Sequence, residues 1–119
     1  METWHDGEKL LSDIYDLLYR LGLTANYTGF FRISYAIFLS VENPQRLALV
    51  TKWLYPEVAK HYGTTWQAVE RNIRAAVTLI WNHRSPLLPE LFGVPLPPKP
   101  RNAQFLAVVA GYFSLSPVA

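Results

Sequence analysis

Between residues 66 and 75 the chain reads WQAVERNIRA, and its polar members recur on one side of a helix: Gln67, Glu70, Arg71 and Arg74. Arginine can donate two parallel hydrogen bonds to a guanine edge, and glutamine or glutamate can pair with adenine or cytosine edges. Ala68 and Ala75, being small, let such a helix lie close to a duplex. The same spacing also suits a solvated face on which Glu70 and Arg74, four apart, form a helical ion pair. Either reading requires Val69, Ile73, Ala76, Val77 and Ile80, spaced by three and four, to face inward.

Upstream of this helix Ala59 and Gly63 lie four apart, and Val69 follows six residues after the glycine. This is the spacing of a helix-turn-helix: the small residue permits close helix approach, glycine makes the turn, and the branched residue packs one helix on the other. Ile73 departs from the usual repressor pattern by one residue.

The rest of the chain supplies little other chemistry. Histidine occurs at His5, His61 and His83, none at ligand spacing, and the latter two are expected at the solvent edge of helix ends. There is no glycine-rich phosphate loop, nucleophile elbow or paired-carboxylate motif, and cysteine is absent. The expectation is therefore no catalytic residue, no metal ligand and no cofactor. Lack of cysteine also removes any argument for an oxidising compartment. No run of 18 apolar residues exists, and METWHDGEKL is unlike a signal peptide, so the expected location is cytoplasmic, away from the membrane.

The segments expected to hold these residues in place are all helical. The chain has 119 residues, of which 50 % are hydrophobic and 17 % charged, the composition of one compact domain over 1–119. Helices are expected from about Glu8 to Leu21, from Tyr27 to Val41, from Asn43 to Tyr62, from Thr64 to His83, from Ser85 to Gly93 and from Asn102 to Leu115. Gly22 and Gly63 act as stops, Thr64 with Gln67 forms a capping box, and Asn102 caps the last helix. Pro56 predicts a kink, or two short helices meeting near Tyr55. The reading is an all-α, compact six-helix domain containing a helix-turn-helix. Its charge is uneven: three basic and six acidic residues in 1–42 give −3, and eight basic and three acidic in 43–119 give +5. The basic part suits a polyanion such as double-stranded DNA.

Beyond spacing, the sequence resembles the C-terminal DNA-binding effector domain of the stage zero sporulation protein A family of response regulators. The resemblance is carried by Thr51, Lys52, Leu54, Tyr55, Pro56, Ala59, Lys60, Thr64, Thr65, Val69, Glu70, Arg71, Ile73, Arg74 and Ala76. It extends upstream through Gly22, Ala25, Gly29, Ala36 and Ile37, and downstream through Trp81, Leu91, Phe92, Gly93, Lys99, Pro100, Asn102 and Phe105, covering about residues 11–115. It implies a transcription regulator that reads a short box and sits as a tandem pair on repeated boxes. By position, Glu70 and Arg71 would read bases, with Arg74 near bases or phosphate. Lys60, Thr64 and Thr65 would face the DNA backbone, and Lys99, assisted by Arg101, would reach a flanking phosphate.

Several positions depart from the family pattern. Ala68 and Ala75 stand where the family carries basic residues, and Trp66 where it has a small one; Ser34 and Tyr35 replace a charged pair at an expected surface position. The receiver domain that precedes the effector domain in the family has no room in 119 residues, which leaves an excised effector fragment or a stand-alone paralogue; the N-terminal residues are unlike a linker, so the expectation leans to the stand-alone protein. The alternative to DNA binding is a degenerate effector domain that holds RNA polymerase, a sigma factor or another regulator through residues around Tyr35 and Phe92.

Overall fold

The structure, a computed structural model, describes residues 3–115, and side chains from 7 to 114. His5 therefore lies outside the described side chains. Six α-helices follow in order: α1 (Thr3–Arg20), α2 (Phe30–Glu42), α3 (Tyr55–Tyr62), α4 (Trp66–His83), α5 (Leu87–Phe92) and α6 (Asn102–Leu115). The described residues contain no strand, so the fold is all-α.

Helix α2 is the centre of the packing. It touches α1, α3, α4 and α6, and Phe30, Ile33, Ala36, Ile37 and Leu39 on it are buried. Ser34 is also fully buried, which corrects its expected surface position. Its hydroxyl donates to the Phe30 carbonyl one turn back at 2.7 Å, so burial leaves no polar group unsatisfied.

The segment expected from Asn43 to Tyr62 as a kinked helix, or as two short helices meeting near Tyr55, is three helical pieces, the last of which does begin at Tyr55. A 3-10 helix over Pro44–Leu49 is capped by the Asn43 side chain, a π-helical turn runs over Val50–Leu54, and α3 follows. Pro56 sits in the first turn of α3, and the widened turn ahead of it removes the crowding its ring would meet in a regular α-helix. The backbone break falls at Leu49, with φ −138° and ψ 59°, rather than at the proline.

Gly22 and Gly63 end their helices as expected, at φ +97° and +63°. Gly22 has a second reason to be glycine: an added Cβ would lie 2.3 Å from the His83 ring, so the stop after α1 is also where the end of α4 comes against it. Ser85 closes the same corner, donating to the Arg20 carbonyl at 2.8 Å and accepting from the Leu87 N–H.

Candidate nucleic-acid interface

Helices α3 and α4 are joined by Gly63, Thr64 and Thr65, and the joint is built from hydrogen bonds that the residue types allow. Gly63 in the left-handed region lets the Thr64 N–H reach back to the Ala59 carbonyl at 2.9 Å, closing the end of α3. Thr65 then caps α4, its hydroxyl accepting from the Ala68 N–H at 3.1 Å. The cap is thus Thr65, not Thr64, and no Thr64–Gln67 capping box forms. The reason is the extra residue used by the left-handed turn. Ala59 and Val69 are both buried at the crossing, a helix, short turn and helix arrangement compatible with a helix-turn-helix.

Helix α4 presents two sides. Val69, Ile73, Ala76, Val77, Ile80 and Trp81 are buried, as the spacing requires. Gln67, Arg71, Arg74 and Ala75 are exposed, and Glu70 is half-buried. Glu70 and Arg74 form an ion pair on this surface, with 33 % and 54 % of their side chains exposed. The pair leaves most of the Arg74 donors directed at solvent, since guanidinium carries five N–H groups.

One flank of α4 borders an open groove of about 710 Å³, walled by Glu70, Arg74 and Trp66 on α4 and by Lys99, Arg101 and Asn102 across from it. The distant wall is held by specific bonds. Lys99 Nζ donates to Thr78 Oγ1 at 3.0 Å, Asn102 Nδ2 donates to the Glu70 carbonyl at 3.0 Å, and Trp81 Nε1 donates to the Pro97 carbonyl at 3.1 Å. Asn102 is consequently not the cap expected from sequence. The Arg101 carbonyl takes the first helical bond, from Phe105, and the Gln104 side chain accepts from the Arg101 N–H. Buried Tyr55 also lines the groove, its phenol pushed above the usual range by burial, with a hydrogen bond from Asn102 opposing the shift.

Of the residues singled out in the sequence, Glu70, Arg74, Lys99 and Arg101 share this groove, whereas Gln67 and Arg71 lie on the exposed face beside it. Lys60 and Thr65 are exposed at the end of α3 and the start of α4, and Thr64 is half-buried between them. Trp66, 37 % exposed, lines the groove. Sequence reasoning missed Asn102 as a strut and Thr78 as the anchor of Lys99. It also missed Arg32 of α2, whose Nη1 donates to Asn72 Oδ1 on the other flank of α4 at 2.7 Å. No local signal could have found that pair, because its members are 40 residues apart.

The remaining sequence candidates sit elsewhere. His61 stacks on Tyr35 with ring centroids 4.2 Å apart, and His83 is the exposed last residue of α4. Tyr35 and Phe92 are both half-buried, Phe92 against Trp81 and Phe105. Among the described residues no group of three or more histidines and carboxylates could hold a metal, and no helix is long and apolar enough to cross a membrane.

Compared with known families, the chain matches the model described as "Sporulation initiation factor Spo0A C terminal" over residues 14–113.

Proposed function

The chain belongs to the sporulation initiation factor Spo0A C-terminal family and is a DNA-binding effector domain of that type; from this premise we propose that it is a transcription regulator reading a short DNA box with α4. The carrying observation is the exposed face of α4, where Gln67, Arg71 and Arg74 stand together with Glu70 at its edge. Arg71 and Gln67 face solvent without a partner among the described residues, and arginine and glutamine are the side chains best able to read guanine and adenine in a major groove. Glu70 takes a cytosine amino group, and Arg74 exchanges its carboxylate partner for a base or phosphate.

The backbone contacts fall to residues around this face. Thr64 and Thr65 lie at the start of α4, where main-chain N–H groups and the helix dipole favour an anion, and Lys60 stands in the last turn of α3 just before them. Lys99 and Arg101 bring positive charge to the groove flank. Two copies in tandem on repeated boxes, with RNA polymerase or a sigma factor alongside, complete the reading drawn from the family.

The test is fluorescence anisotropy with a duplex carrying two boxes of the family type against a scrambled duplex, at two salt concentrations. Preferential binding that Arg71→Ala weakens by about 1–3 kcal/mol supports base reading. Binding that follows salt without preference removes the box reading. No binding at low salt turns the assignment to a protein-interaction module using the same fold.

A further inference from the structure

A helix lying in a major groove runs between two phosphate strands, so docking is strengthened by cations on both of its flanks. On α4 the Glu70 side has them: Lys99 and Arg101 border the groove there. The opposite flank is formed by Ala68, Asn72, Ala75 and Leu79, which recur at steps of four and three and carry no charge of their own. The cation on that side comes from another element. Arg32, on α2, reaches across to Asn72, and Nη1 meets Oδ1 at 2.7 Å.

We propose that Arg32 is a DNA phosphate contact, held by Asn72 against the uncharged flank of α4, and that with Lys99 and Arg101 it completes a pair of cationic rails on either side of the reading helix. The inference rests on the DNA-binding reading above and adds to it a residue that lies outside α4, the preceding turn and the loop before α6.

Three observations fit Arg32 to this task. Asn72 occupies one of its N–H groups and leaves the remaining guanidinium donors for an anion. Among the described residues no carboxylate forms a salt bridge with it, unlike Arg46, which Glu57 holds, and Arg74, which Glu70 holds. The contact is also framed by its surroundings: the Tyr27 hydroxyl donates to the Asn72 carbonyl at 2.8 Å, and Gly29 makes room for both. A Cβ at Gly29 would lie 2.5 Å from the Tyr27 ring and 3.0 Å from Asn72 Cβ. The start of α2 is thereby pressed onto α4, and Arg32 follows one turn later. A short amide acceptor fixes the guanidinium without neutralising it, which a carboxylate at residue 72 would do.

The experiment measures anisotropy of the intact chain on the two-box and scrambled duplexes over a salt series, for wild type, Arg32→Gln, Arg32→Lys and Arg71→Ala, with circular dichroism and melting curves to verify folding. Arg32→Gln is expected to weaken binding to both duplexes by the same factor, about threefold to tenfold, and to lower the slope of log affinity against log salt by about 0.9, as loss of one phosphate contact requires. Arg32→Lys keeps the wild-type slope, because the charge remains. Arg71→Ala instead reduces the preference between duplexes. The proposal is overturned if folded Arg32→Gln retains the wild-type affinity and slope while Arg71→Ala weakens binding, which would make Arg32 only a strut between α2 and α4. It is equally overturned if Arg32→Lys loses the same slope as Arg32→Gln. Failure of the wild type to bind either duplex at low salt overturns the DNA-binding reading itself, and this inference with it.

Discussion

The Asn102 side chain donates from Nδ2 to the main-chain carbonyl of Glu70 at 3.0 Å, tying the first residue of α6 to the edge of the exposed face of α4. Through that bond and the Lys99 to Thr78 bond, the segment before α6 is fixed as a wall beside the reading helix. The acceptors on α4 are a main-chain carbonyl and a hydroxyl, so no carboxylate is used to hold the wall in place.

Replacing Asn102 with alanine should therefore act on the wall first. A loss of about 0.5–1.5 kcal/mol in folding stability is expected for a hydrogen bond of this kind. Faster amide exchange in residues 99–104 than in α4 would check that the loosening is local, and uniform acceleration across the chain would count against it.

At Gly22 alanine should be costly for two separable reasons. The φ of +97° is strained for any side chain, and the new Cβ would lie 2.3 Å from the His83 ring. Gly22→Ala is expected to lower stability by more than about 1–2 kcal/mol, the backbone strain alone. Adding His83→Ala should recover the part of the loss due to the ring, while the residue-83 Cβ at 2.9 Å stays, as chemical denaturation of the single and double variants would reveal.

Arg84 offers the opposite case. It ends α4 in the left-handed region with φ 58°, where a side chain is strained and glycine is not. Arg84→Gly should raise stability by up to about 1 kcal/mol, net of glycine's larger chain entropy, and a lowered melting temperature would show the strain to be compensated.

The Glu70–Arg74 ion pair should matter little for folding. Both side chains are partly exposed, so Glu70→Gln should change stability by no more than about 0.5 kcal/mol. Its effect should appear instead in the preference between box-bearing and scrambled duplexes, measured in the same anisotropy format.

Stability should fall in alkali. Burial raises the phenol of Tyr55 above its usual 10.0, and the same cause acts on Tyr15, Tyr27, Tyr35 and Tyr62. A phenol whose folded pKa is raised binds its proton more tightly when folded than unfolded. The stabilisation is complete below the unfolded value and is lost as pH climbs above about 10 through the folded values. Melting curves at rising pH, with phenolate absorbance followed in parallel, should show unfolding and ionisation together.

Much of the architecture is legible in the sequence because helix formation and burial follow local spacing. Val69, Ile73, Ala76, Val77 and Ile80 are buried where three-and-four periodicity puts them, and Gly22 and Gly63 stop helices where only glycine adopts the required φ without strain. The misplaced features are those where two local solutions compete. Thr64 and Thr65 can each cap a helix, and the left-handed turn at Gly63 selects the second. Pro56 breaks a helix interior but fits a first turn, and the π-helical turn before it makes the second outcome available. Ser34 reads as a surface residue until its hydroxyl finds the Phe30 carbonyl inside its own helix.

Local spacing accounts for five of the six helices, for their buried faces, and for a polar face on α4 bearing Gln67, Glu70, Arg71 and Arg74; the pieces leading into α3 depart from it. Which distant residues flank that face follows from the packing of the helices alone: Lys99 and Asn102 reach α4 across gaps of 21 and 32 residues, and Arg32 across 40. Periodicity reports neighbours within one helical turn, whereas these meetings depend on how α2, α4 and the approach to α6 cross, and the buried faces of all three must pack together before any of them can form.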